Sequence, residues 1–518
     1  MSASAVDRDS VRGILLQLLA PVPEDAPPLC DTPVRGAPLL AIAGELVPSA
    51  SGATFPVVDP ATAEVVGEAA DASLEDLDRA IGAARDAFDT SAWSSDSALR
   101  ARCLRQLQDA LREERETLRR DLVAEIGCAV RMTYGDQLDR PIEKLGFYAD
   151  LAGSYAYGTR VGGGEEPEGN WFFREPIGVV AVITPWNIPT ELNLAKVGAA
   201  LAAGCTVVLK PSPLSPWSGA HLGRLVVERT DFPPGVFNVV TSTSNEVAAA
   251  LTTDPRVDAV AFTGSTATGK KVMAAAAGTV KRVVLELGGK AATVVLDDAD
   301  LDAVVPLAAA FVCFNAGQSC ILPSRLLVPR EHHDRCVELA AEGLASVPVG
   351  DPADPEVFMG PLISEDQRRR VEGYVERGRA EGARLVLGGG RREDLAPGYF
   401  FEPTLFAGVD SRSTIAQEEI FGPVLSVIAY EDEDDAVAIA NDTVYGLAGY
   451  VWGSDLDRAV DVARRMRTGM VAVNGGSFIG AELPFGGRRQ SGMGREWGVA
   501  GFEEFLDLKS VGIGFPQP

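Results

Sequence analysis

Cysteine and histidine are both scarce. The seven cysteines, at 30, 103, 128, 205, 313, 320 and 336, include no CxxC pair. An odd, scattered set of that kind argues against a disulfide framework or a zinc ribbon and fits a reducing cytoplasm. The three histidines, His221, His332 and His333, form no HExxH or other two-imidazole spacing, so no metal is expected. The adjacent pair follows Pro329-Arg330-Glu331 and reads as a solvated helix start. Positive charge is also in deficit. Against 73 acidic residues stand 47 basic ones, a net charge of −26, which repels phosphate backbones and anionic lipid and removes nucleic acid and membrane from the expected partners. Long apolar runs are missing too. The best candidate, "VRGILLQLLAPVP", is short and broken by Gln17, so it reads as an appended helix and not as a targeting or spanning segment.

What remains is a chain of 518 residues, 46% apolar and 23% charged, long enough for several domains or a large layered enzyme. Residues 1–38, ending in the proline-rich 21–38, read as an extension on a stiff linker. From Ser73, "SLEDLDRAIGAARDAF" sets Leu77, Ile81, Ala84 and Phe88 on one helical face with Ser73 as N-cap. A charged helix over about 97–126 and another near 136–157 follow. Then short apolar runs alternate with helix-length stretches: "VVAVIT", "CTVVLK", "VFNVV", "VDAVAFTG", "AATVVLDD". A second series adds "SRLLV", "ARLVL", "VLSVIAY", "AGYVWG" and "GMVAVN". Buried parallel strands joined by crossover helices give this texture, and two series imply two doubly wound α/β domains with a cleft between them. The aromatic, glycine-bounded segment 156–176 fits neither and reads as a hairpin.

Several short stretches carry chemical types. "GSTATGKK" mimics a P-loop, but Lys271 occupies the place where that loop needs Ser or Thr for magnesium, which disfavours an NTPase. As a strand-to-helix turn it still offers the N–H groups of Gly264 and Ser265 to a pyrophosphate, a plain turn being the alternative. In "LELGGK", Glu286 lies in an apolar strand, where a carboxyl either pairs or has its pKa raised and becomes a usable base. "ITPWNIP" fixes Asn187 between prolines, and a rigid amide can donate to an oxyanion. "VVLKP" puts Lys210 at the C-terminal end of a strand, the edge where such sheets bind ligands. "FNAGQSC" ends on Cys320; a small buried hydrophobe is the competing reading for any single cysteine.

Taken in order, "PWNIP", "LKPS", "FTGS", "LELGGK", "FNAGQSC", "EEIFGPV" and "PFGGRRQSGMGRE" resemble the aldehyde dehydrogenase superfamily, from about residue 40 to the C-terminus. The resemblance implies two Rossmann-like domains and a small β oligomerisation hairpin. Residues 39–155 with 177–288 would bind dinucleotide, 289–488 would be catalytic, and 156–176 with 503–518 would pair across subunits of a homodimer or homotetramer. It implies NAD(P)-dependent, non-acylating oxidation of a small-molecule aldehyde through a Cys320 thiohemiacetal and thioester. Asn187 and the Cys320 N–H would hold the oxyanion, Glu286 would activate water, and Lys196 would assist proton transfer. Cofactor contacts carried over are Ile183, Thr184, Pro185, Trp186, Lys210, Ser212, Pro213, Phe262, Gly264, Ser265, Leu287, Glu419 and Phe421. Pro213 stands where many NAD-using members carry glutamate, so the reading leans to NAD with NADP left open. "NVVTSTSNEV" also lacks glycines common in that loop. The substrate tunnel would be lined by Ile188, Glu191, Leu192, Ala195, Phe314, Ser319, Ile321 and Phe478. Ala195 replaces a frequent aromatic and predicts a wide tunnel, and Glu191 would repel an anion, so a neutral apolar, aromatic or branched aldehyde is expected. The competing readings are a CoA-acylating semialdehyde dehydrogenase, which typically lacks the Glu286 base, and a silent scaffold of the same fold.

Overall fold

The computed structural model describes residues 38–161 and 169–514, and 13–29 in part. The tip of the hairpin at 162–168, the linker at 30–37 and both chain ends lie outside the described residues. Two large sheets organise the rest. The first has eight strands in the order Gly492–Met493, Arg282–Glu286, Ala259–Thr263, Val179–Ile183, Thr206–Lys210, Phe237–Val239, Leu40–Ile42, Glu45–Val47. Its five central strands are parallel, and antiparallel strands close both edges. Those central strands are the uninterrupted Val/Ala/Leu runs of the sequence, buried on both faces because helices cover both.

Chain order reverses between Val179–Ile183 and Ala259–Thr263. From the first of these the chain winds outward through Thr206–Lys210 and Phe237–Val239, then returns to lay Ala259–Thr263 on its other side. At such a switch point the loops leaving the C-terminal strand ends diverge and open a crevice. The second sheet has seven strands, Arg384–Leu387, Thr404–Ala407, Val424–Tyr430, Arg325–Pro329, Ala292–Val295, Ala448–Trp452 and Met470–Val473, parallel except at its first pair.

Two smaller sheets complete the described residues. Leu506–Ile513, Gly169–Pro176 and Gly158–Val161 form an antiparallel three-stranded sheet in which Leu506 faces Pro176 and Ile513 faces Gly169. The C-terminal strand and the hairpin therefore pair with each other inside one chain, which differs from the expectation that they pair only across subunits. Thr54–Asp59 and Glu64–Ala70 form a hairpin. Ser73 caps Leu74–Thr90 in a full capping box with Asp76, and Leu77, Ile81 and Ala84 are buried while Phe88 lies under the Arg85 guanidinium. The long charged helix is two, Ser97–Glu113 and Arg115–Ile126, broken at Glu114, whose ψ of 10° ends the helical run. Near the N-terminus Leu16 and Leu19 are buried against the main core, and Arg131 donates to the Leu16 carbonyl at 3.2 Å.

Candidate active site

The crevice at the switch point of the first sheet faces the second sheet and holds a cavity of about 310 Å3. Its first wall comes from the loop after Val179–Ile183, which supplies Pro185, Trp186 and Asn187, and from the turn after Ala259–Thr263, which supplies Gly264 and Ser265. The opposite wall carries Cys320, Glu419 and Phe421. Cys320 reaches it through an unusual stretch. After the helix Leu301–Ala310 the chain tightens, and Asn315, Ala316 and Gly317 take successive φ values of 51°, 54° and 76°. At 317 only glycine serves, since a Cβ would fall 2.0 Å from the Gly422 carbonyl carbon. This reversal throws Cys320 out of the packed layer into the cavity, while Cys313 stays fully buried in the core.

The charges around Cys320 are acidic. Burial, then the carboxylates of Glu419, Glu286 and Glu496, push its thiol well above the ordinary cysteine value, so the resting sulfur is protonated and a nearby base is required for it to act as a nucleophile. Glu286 ends the strand Arg282–Glu286 and is 2% exposed; neither carboxyl oxygen makes a hydrogen bond of normal geometry, the Gly487 N–H lying near enough only to favour the charged form. Burial and the neighbouring Glu496 raise its pKa far above the usual carboxylate range, against the pull of Lys196 and Arg495. It lies just behind the wall formed by Leu287, Gly288 and Glu496, beneath Gly486. Lys196 is also behind that wall, ion-paired to Glu496 in the interior. It therefore touches the cavity only through Glu496.

Asn187 is held by a buried amide network. Its Nδ2 donates to the Gln318 carbonyl at 3.0 Å, and its own carbonyl accepts from Asn315 Nδ2 and Gln137 Nε2, each at 2.9 Å. Gln137 also donates to Asn315 Oδ1 at 3.2 Å, and the Gln318 side chain is pinned by the Ile363 N–H at 2.9 Å. A primary amide has two N–H groups, so the bond to Gln318 leaves one for a ligand in the cavity.

The residues present fit a dinucleotide. Ser265 caps the helix Thr266–Ala276, whose N-terminus opens at the cavity. Thr263 Oγ1 beside it is buried without a partner. Lys210 is 6% exposed at the end of its strand with only a 3.4 Å contact to the Pro211 carbonyl, and burial lowers its pKa to about 8 against the attraction of Asp71. Trp186 and Phe421 meet edge to face at 5.4 Å, and Phe421 adopts a φ of 63° to do so. Glu419 accepts from the Gly289 N–H at 3.0 Å, and burial raises its pKa to about 7. A Cβ on Gly288 would stand 2.4 Å from Glu419 Oε2, so backbone and carboxylate approach here as only glycine allows.

Among the expected site residues, Pro185, Trp186, Asn187, Ile188, Glu191, Leu192, Gly264, Ser265, Leu287, Phe314, Ser319, Cys320, Ile321, Glu419 and Phe421 meet at this one cavity. Ile183, Thr184, Lys210, Ser212, Pro213 and Phe262 stand outside it on the first sheet's C-terminal edge; Thr184 Oγ1 is bonded to Asn193, and the Phe262 ring fills the space a Cβ on Gly264 would need. One tunnel assignment differs: Ala195 is 1% exposed inside the helix Pro189–Ala203 and packs in the core, outside the cavity lining. Phe478 packs in one apolar cluster with Cys320, Ile321 and Tyr450, and its neighbour Ile479 also lines the cavity. Glu191 does line the cavity but is ion-paired to Lys144. The sequence reading missed Gln367, Arg370, Phe485, Glu496 and Trp497. Phe485 and Glu496 left a trace, as the second and last residues of "PFGGRRQSGMGRE".

A sequence model of the aldehyde dehydrogenase family matches residues 46–511. The chain is 44% identical over 463 residues to the 3-succinoylsemialdehyde-pyridine dehydrogenase of a Pseudomonas species, covering 88% of this chain and 94% of that one. It is 41% identical over 475 residues to the geranial dehydrogenase of Castellaniella defragrans, covering 91% and 97%. Among solved structures, a mutant aldehyde dehydrogenase C of Pseudomonas syringae in complex with NAD+ and octanal superposes with a TM-score of 0.88 at 43% identity, covering 92% and 96%. The Mycobacterium tuberculosis aldehyde dehydrogenase complexed with NAD+ gives 0.88 at 40% identity, covering 93% and 99%.

Proposed function

The chain belongs to the aldehyde dehydrogenase family, and from that premise we propose that it oxidises a neutral, largely apolar aldehyde to the carboxylic acid with NAD+. The observation that carries this reading is that a protonated thiol and a fixed amide line one cavity, with a buried carboxyl just behind its wall close enough to act on the thiol. Cys320 gives its proton to Glu286 and forms a bond from Sγ to the carbonyl carbon. The carbonyl electron pair moves to oxygen, where the Asn187 amide and the Cys320 N–H hold it. Trp186, Phe421 and Glu419 would hold NAD+, which would supply the hydride acceptor. As the oxyanion re-forms the C=O bond, the former aldehyde C–H bond breaks, its hydrogen leaving with the bonding pair, and the acyl group is then a thioester on Cys320. Once it has passed its first proton to the Glu496–Lys196 pair, Glu286 takes a proton from water, whose oxygen attacks the thioester. The C–S bond breaks, the acid leaves, and the thiolate is reprotonated.

Ile188, Leu192, Phe314, Ile321, Ile479 and Phe485 give the substrate end an apolar lining, suited to aldehydes of the kind that the octanal and geranial of its relatives represent. We assign dinucleotide binding to 39–155 and 177–288 and the thiol chemistry to 289–488. We further propose a homodimer or homotetramer joined through 156–176 and 503–518, working in the cytoplasm; among the described residues no helix is long and apolar enough to cross a membrane. NADH formation with a panel of alkanals, run in parallel with NADP+, tests the activity. Turnover with NAD+ is expected, and silence across the panel with both nucleotides overturns it.

A further inference from the structure

The wall of the substrate end is not purely apolar. Two acids stand on it, Asp136 and Glu191, and each has a base behind it that does not reach the cavity. Asp136 is paired at 3.0 Å with Arg140, whose side chain is 58% exposed on the outer surface. Glu191, in the first turn of Pro189–Ala203, is paired with Lys144 of the preceding helix Asp139–Ser154. That second pair is the interior one: the Lys144 and Glu191 side chains are 10% and 15% exposed, and the Lys144 ammonium lies 4.4 Å above the ring of Trp497, itself part of the cavity wall. Both pairs are therefore dipoles with the negative end toward the lumen. Arg370, the arginine on the wall, is held on the carbonyls of Glu419 and Ile420 by Phe421, away from this end, and does not offset them.

We propose that the Lys144–Glu191 pair is a charge gate for the substrate: Glu191 excludes aldehydes that carry a second, anionic group, and Lys144 is a masked anion site behind it. This inference rests on the aldehyde-oxidising reading above. A carboxylate entering an apolar tunnel loses its hydration and must find a cation to compensate. Here the nearest cation is covered by an acid, so the entering charge meets the wrong end of the pair. Neutral aldehydes meet only hydrocarbon and aromatic surface. Specificity thus comes from a repulsive element as much as from the apolar fit. A trimethylammonium group meets the favourable end and is tolerated.

The test compares kcat/KM for n-alkanals of four to eight carbons with that for ω-carboxy aldehydes of the same lengths, in the full-length wild type and in two variants. In Glu191→Gln, nearly the same volume is kept while Lys144 loses its counter-charge. The ratio of anionic to neutral kcat/KM is expected to rise at least tenfold at some chain length. In Glu191→Gln combined with Lys144→Met, where the cation is gone as well, that gain is expected to disappear. A gain under threefold at every chain length in Glu191→Gln, or a gain that persists in the double variant, overturns the gate. Only ratios are read, so a general loss of rate does not mimic the effect. Wild-type protein inactive on every aldehyde would instead fail the underlying assignment.

Discussion

A carboxyl group with neither oxygen hydrogen-bonded inside a folded protein is a destabilising feature, and Glu286 is one. Its pKa is raised by burial and by Glu496. The folded state therefore binds this proton more tightly than the unfolded chain does. The contribution is fully present below the unfolded value of about 4.5 and is lost as pH rises through the raised folded value. Glu286→Gln removes the ionising group, so its melting temperature is expected to gain on the wild type as pH goes from weakly acid to weakly alkaline in parallel thermal scans. Equal shifts at every pH would mean that Glu286 is not buried in its charged form. Activity has the opposite sign, since the base acts only when ionised: turnover rises with pH on the acid side of the optimum. For Asn187→Ala, kcat/KM measured with hexanal is expected to fall by about a hundred- to a thousandfold, the usual loss for one oxyanion donor. A loss under threefold would remove Asn187 from that role.

The turns that end the central strands of the first sheet bring the site together, and they show which parts were readable. The central strands are legible because burial on both faces demands unbroken apolar runs, and the ligand edge follows from their parallel order. Cys320, Glu286 and Asn187 are legible because each sits in a short motif whose neighbours constrain it. Gln137 and Trp497 are not, because their roles arise only when distant segments meet: Gln137 reaches the Asn187 carbonyl across fifty positions. The break at Glu114 was hidden because its flanks share one amphipathic texture. Gly288 tests the turn itself. A methyl there meets Glu419 Oε2, so Gly288→Ala is expected to weaken NAD+ binding at least tenfold by calorimetry. Unchanged affinity would show that Glu419 and the 288–289 backbone do not hold the nucleotide.

For the whole molecule, the three-stranded sheet is the most conspicuous surface. Leu508 is 69% exposed, Val161 55% and Ile513 43%, on strands whose outer edges are unpaired among the described residues. Open edges bearing apolar side chains invite pairing with another copy, and the net charge of −26 keeps other surfaces apart. Light scattering of the wild type is expected to give an even multiple of the 54.6 kDa chain mass. Leu508→Glu with Ile513→Glu is expected to lower that mass. An unchanged assembly would place the interface elsewhere.

The most direct measurement is of the covalent intermediate. Glu286→Gln mixed with NAD+ and hexanal is predicted to release NADH more slowly than the wild type, because the thiol has lost its base, up to about one equivalent per chain and then to stall. Peptide mass mapping of the stalled protein should find a hexanoyl group on the peptide that carries Cys320. Steady turnover beyond one equivalent, or the acyl group on any other cysteine, would contradict a mechanism in which Cys320 holds the acyl chain and Glu286 frees it.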